Sequence, residues 1–87
     1  MKTEKLIRLT RHAQEQAAER GATASEIKEA VRKGARQPAK LGREMCHYNF
    51  AFDRNWQGKY YAVKQVVPII IEKANEVVVI TVYTFYF

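Results

Sequence analysis

Residues 43–52 read REMCHYNFAF, and their alternation decides the fold. Cys46, Tyr48, Phe50 and Phe52 fall on one side of an extended chain, and Arg43, Met45, His47 and Asn49 on the other. Strand side chains alternate between two faces, so one apolar and one mixed face describe a half-buried antiparallel strand. Downstream, Asp53–Lys59 (DRNWQGK) reads as the hairpin turn, with Gly58 at its flexible position. Tyr60–Val67 is the next strand. Pro68 has no N–H to give to a ladder, so it marks an edge, a bulge or a break. Ile69–Ile71 continues extended, Ala74-Asn75 makes a tight turn, and Val77–Tyr86 is the last strand. Its β-branched and aromatic run predicts a central place in the sheet.

Upstream, the period is helical. Thr10 offers an N-cap to RHAQEQAAER, residues 11–20, which are helix formers without a β-branched member. Gly21 supplies the left-handed stop. Ala13 and Ala17 lie one turn apart and predict a close approach to the core. Thr23 and Glu26 form a capping box for a second helix, whose apolar stripe is Ile27, Ala30 and Val31, with Ala24 leading in. Gly34 ends it, and Pro38 blocks continuation. Leu6–Leu9 alternates weakly and predicts a short strand. Arg32, Lys33, Arg36, Lys40 and Arg43 follow one another with no acid between them, which reads as a solvated connector or a phosphate-facing rim. The predicted class is α+β: two N-terminal helices packed on an antiparallel sheet of about four strands, in one domain of 87 residues.

A chain of this length buries roughly 60% of its unfolded surface, enough for one core. Cys46 is the sole thiol, so no intrachain disulfide forms and a reducing compartment suits it. Met1–Thr10 lacks the apolar run of a signal peptide, and Val77–Phe87 is too short for a spanning helix. A cytoplasmic location, away from the membrane, is expected. One Cys and two His are too few for a closed zinc site. Without a phosphate-binding glycine motif either, no metal or cofactor is expected. The net charge is +6, and residues 1–44 carry 11 Lys/Arg against 6 Glu. Such a surface attracts phosphate backbones or acidic partners.

Four residues are candidates for chemistry. His12 opens the first helix with a group that takes or gives a proton near neutrality. Arg20 lies eight positions on and can turn to the same side. Thr81 and Tyr83 share a face of the last strand. Arg43 and Lys64 can reach the same cleft from the sheet, with Arg36 and Lys40 as further phosphate contacts. The plainer alternatives are an exposed histidine, Arg20 paired with Glu15 or Glu19, and strand residues chosen for β-propensity.

His12-Ala13, then Glu19-Arg20-Gly21, then Thr23-x-x-Glu26-Ile27, then Ile80-Thr81-Val82-Tyr83 resembles a bacterial family of small domains of unknown function. The resemblance covers roughly residues 7–83. Family members often carry a second arginine in helix one, where this chain has Gln16. That family is grouped with the barnase, EndoU, colicin and RelE-like ribonuclease fold. The grouping implies RNA cleavage without metal, by attack of a ribose 2′-OH on the adjacent phosphate, and a toxin role. His12 would act as acid or base. Arg20, with Arg43 or Lys64, would stabilise the developing charge, and Thr81 and Tyr83 would orient the phosphate or donate a proton. The implied partners are RNA, in some cases on the ribosome, and an antitoxin protein. A monomer or a weak dimer is expected. The alternative is a non-catalytic module on the same scaffold that binds nucleic acid or protein.

Overall fold

The computed structural model describes residues 5–87. The order is β1 (Leu6–Leu9), α1 (Arg11–Arg20), α2 (Ala24–Lys33), β2 (Ala35–Pro38), a single 3-10 turn (Lys40–Gly42), β3 (Glu44–Trp56), β4 (Lys59–Glu72) and β5 (Glu76–Tyr86). The strands form one sheet in the order β1-β5-β4-β3-β2. β1 runs parallel to β5, and the other pairs are antiparallel. Both helices lie on one face.

The helix caps follow from side chains. Thr10 Oγ1 accepts from the Ala13 amide, and Thr23 and Glu26 complete a reciprocal capping box. α1 buries only Ala13 and Ala17, so its backbone comes close to β5. α2 buries Ile27, Ala30 and Val31. They meet Cys46, Val66, Ile70, Val77, Val79 and Val82 from the sheet.

The sheet differs from the expected one in four ways, each with a physical reason. It has five strands and is mixed, because Leu6–Leu9 pairs parallel with Glu76–Val79. The basic connector contains β2, an edge strand that Pro38 closes. The turn is only Gln57-Gly58, with φ of 51° and 85°, so β3 runs through Asp53–Trp56. Pro68 stays inside β4, the middle strand. The Val63 and Phe87 backbones exchange both bonds, so odd-numbered residues of β4 bond to β5. The nitrogen of Pro68 therefore points at β3, and the ladder forgoes one bond there.

β-Bulges break the period of two twice. Ile69 pairs with Thr81 and Ile70 with Val79, so Ile80 is an extra residue in β5. Val77 and Val79 face the helices before it, and Val82 faces them after it. Thr81 and Tyr83 are thereby turned to the opposite face. A second shift lies between Ala51 and Arg54, where Asp53 has φ 48°.

The end of α1 is fastened to the sheet by polar contacts. The carbonyl of Arg20 accepts from Thr84 Oγ1 at 2.9 Å and from Tyr86 Oη at 2.7 Å. The Gly21 carbonyl accepts from Lys64 Nζ at 2.8 Å. Gly21 has φ +80°, and an added Cβ would stand 2.5 Å from Tyr86 Oη and 2.7 Å from the Trp56 ring. Both the backbone sign and the space demand glycine. Gly21→Ala is expected to destabilise the fold by about 2 kcal/mol or more. A urea titration checks this, and an unchanged midpoint would contradict the packing described.

Candidate functional site

β1 stops opposite Val79, so among the described residues no strand pairs with the outer edge of β5 beyond that point. α1 lies along this edge instead. The Thr10 amide donates to the Val79 carbonyl at 3.0 Å, Thr10 Oγ1 to the Ile80 carbonyl at 3.3 Å, and Arg20 Nη1 to the Val82 carbonyl at 2.7 Å. The outward carbonyls at the end of β1 and beyond it thus find donors on Thr10 and Arg20.

All four candidate residues meet on this edge. His12 Nε2 lies 3.4 Å from Thr81 Oγ1. The Arg20 guanidinium lies 5.0 Å from the centre of the Tyr83 ring, within cation–π range. His12 and Arg20 start about 12 Å apart along the helix axis. Thr81 and Tyr83, which they touch, are two strand positions and about 7 Å apart. The side chains therefore lean together, round the edge, onto the face that the helices leave open. Tyr83 and Phe85 are exposed on that face. The edge offers an imidazole, a hydroxyl, a guanidinium and an aromatic ring.

The four basic candidates take other places. Lys40 is exposed in the 3-10 turn, and Arg43 is half-buried just before β3. Arg36 lies on the helix side, where it bonds Glu72, Glu44 at 3.2 Å and the Val31 carbonyl at 3.3 Å. Lys64 is only 3% exposed. Its ammonium donates to the Gly21 carbonyl and to Glu26 Oε1, each at 2.8 Å. It faces the interior on the helix side, not the edge where His12 sits. Burying an ammonium is costly, and the carboxylate, the carbonyl and the Phe52 ring 5.3 Å away offset that cost.

Lys64 lies in a pocket of about 290 Å³ between the α1–α2 turn and the β3–β4 hairpin. Gly21, Thr23 and Glu26 line it from the helix side, and Phe52, Arg54, Asn55 and Trp56 from the hairpin. Trp56 is stacked on Tyr86 at 5.1 Å and 15°, and Arg54 lies over Phe52 at 4.7 Å. The sequence reading missed this site because DRNWQGK looked like a turn. The aromatic residue set among Arg54, Asn55 and Gln57 was the available signal.

A family model described as a domain of unknown function, DUF4258, matches residues 9–84. The chain belongs to that family. The matched stretch runs from the end of β1 to Thr84 in β5, and so takes in the whole α1–β5 edge of this DUF4258 domain. No curated protein and no solved structure matches the chain.

The Arg36 cluster makes a pH prediction for the domain. Lys5 and Arg36 hydrogen-bond Glu72 and hold its carboxyl down from 4.5 to about 2. A depressed carboxyl stabilises the fold above its ordinary value, and the benefit is lost as pH falls from 4.5 through about 2. Glu72 is partly exposed, so screening limits the effect to about 1 kcal/mol or less. Urea titrations across that window are expected to show a shallower acid loss in Glu72→Gln than in the wild type. Parallel curves would contradict the assignment.

Proposed function

We propose that the α1–β5 edge binds an RNA phosphodiester and cleaves it without metal, by transphosphorylation, as an endoribonuclease toxin acting in the cytoplasm. The observation that carries this reading is the convergence of His12 on Thr81 and of Arg20 on Tyr83, on neighbouring positions of one strand. His12 takes the proton of a ribose 2′-OH. The 2′ oxygen forms its bond to phosphorus while the bond from phosphorus to the 5′ oxygen breaks. Tyr83 supplies the proton that the leaving 5′ oxygen takes up. Arg20 stabilises the charge that develops on the phosphorane, and Thr81 orients the imidazole and the phosphate. Exposed Lys40 and half-buried Arg43 guide the strand to the domain. RNA on the ribosome as substrate and an antitoxin as protein partner belong to the same proposal.

A non-catalytic reading draws on the exposed rings of Tyr83 and Phe85, on which bases can stack without any reaction. One experiment separates the two. Wild type, His12→Ala and Thr81→Val are induced in a bacterial host, growth is followed, and RNA is examined on gels and for cyclic phosphate ends. The ribonuclease reading predicts arrest and RNA loss in the wild type, with cleavage about 100-fold lower or less in His12→Ala. Equal RNA loss in His12→Ala would remove its central residue. Normal growth and intact RNA with folded wild type would leave the binding module.

A further inference from the structure

The pocket around Lys64 takes no part in the edge chemistry, yet its groups are those of a ligand site. At about 290 Å³ it is at the small end of such sites. Its wall is aromatic: Trp56 is pinned by Tyr86 and by the close approach of Gly21, and Phe52 lies beside it. Its charges do not cancel. Lys64 pairs with Glu26, while among the described residues Arg54 is in no ion pair and only lies over Phe52. One positive charge is left at the mouth. The polar atoms are fixed rather than mobile. Glu26 Oε1 accepts from the Thr23 amide at 3.0 Å and from Lys64 at 2.8 Å, which leaves Oε2 as an oriented acceptor. Asn55 adds an amide.

We propose that this pocket binds one nucleotide, with its base against Trp56 and Phe52, a base N–H on the Glu26 carboxylate, and its phosphate on Arg54. A flat ring with N–H donors and an attached anion satisfies the aromatic wall, the free carboxylate oxygen and the unpaired guanidinium together. An apolar ring would leave Oε2 of Glu26 without a donor, and a bare anion would leave the aromatic wall uncovered. Phe52, Arg54 and Trp56 lie on one side of β3, with Arg54 over Phe52 and both Phe52 and Trp56 against Tyr86. The proposal rests on the RNA reading only in preferring a nucleotide to other aromatic anions. It does not require cleavage. The nucleotide is either a residue of an RNA strand or a free monophosphate.

Trp56 is the one tryptophan of the sequence, so its fluorescence reports on this pocket. The whole chain is titrated with the four nucleoside 5′-monophosphates, the nucleosides, phenyl phosphate, inorganic phosphate and a short RNA oligonucleotide, and heats of binding are measured in parallel. At least one monophosphate is expected to change Trp56 emission and to bind about tenfold more tightly than its nucleoside or phenyl phosphate. Arg54→Ala, an exposed change away from the core, is expected to weaken that binding about tenfold. Tighter binding of the oligonucleotide identifies the ligand as part of RNA, and equal or weaker binding as a free nucleotide. Phenyl phosphate or phosphate binding as well as the nucleotides would overturn the proposal. So would undiminished binding by Arg54→Ala, or no binding at millimolar concentration. Because only binding is read, these outcomes are independent of whether the His12 edge cuts RNA.

Discussion

Two carbonyls, those of Arg20 and Gly21, hold the end of α1 to the sheet. The last carbonyls of a helix have no partner within it. Here Thr84, Tyr86 and Lys64 supply the donors. Each neutral bond contributes about 1 kcal/mol and the charged one about 2, with the positive charge at the favourable end of the helix dipole. α1 buries only two alanines, so hydrophobic contact alone would leave it free to slide along the sheet. The polar anchor fixes its position. That position sets Arg20 over Tyr83 and, two turns earlier, His12 beside Thr81. The same anchor draws Lys64 into the interior, where it lines the pocket beside Trp56.

The two β-bulges complete the arrangement. A sheet with a strict period of two would bury Thr81 and Tyr83 beside Val77 and Val79. The extra residue at Ile80 turns them to the open face, where α1 meets them round the strand edge. The second shift lies between Ala51 and Arg54, beyond which Arg54 and Trp56 stay on the side of Phe52. At Ile80 the irregular backbone is what lets a hydroxyl and an aromatic ring leave the core pattern.

Much of this was legible in the residues. Thr10, Gly21 and the Thr23–Glu26 box mark the helix ends through local bonds. Cys46 to Phe52 alternates as a half-buried strand should. The parallel pairing of β1 with β5 was not legible, because a four-residue strand carries no mark of its partner. β2 was hidden in a basic stretch whose side chains are exposed on an edge. Lys64 reads as reaching the cleft of His12, because a strand lysine usually faces solvent. Its burial depends on Gly21 and Glu26, which are 43 and 38 residues away in sequence. Of the site, period and spacing put His12 and Arg20 on one side of helix one and Thr81 and Tyr83 on one face of the last strand, and only the family resemblance implied that the two pairs share a site. The bulge that makes it accessible was not legible, since an extra strand residue has no sequence period.

The central claim is that anchoring the end of α1 places His12 against Thr81. The most direct test is a proton NMR measurement of the nuclear Overhauser effect between the His12 ring and the Thr81 methyl. The wild type and a Thr84→Val, Tyr86→Phe double variant would be compared. The structure predicts a clear cross-peak in the wild type and a weakened one in the variant, which has lost two of the three side-chain donors to the carbonyls of Arg20 and Gly21. A folded wild type without the cross-peak, or a variant with an undiminished one, would contradict it.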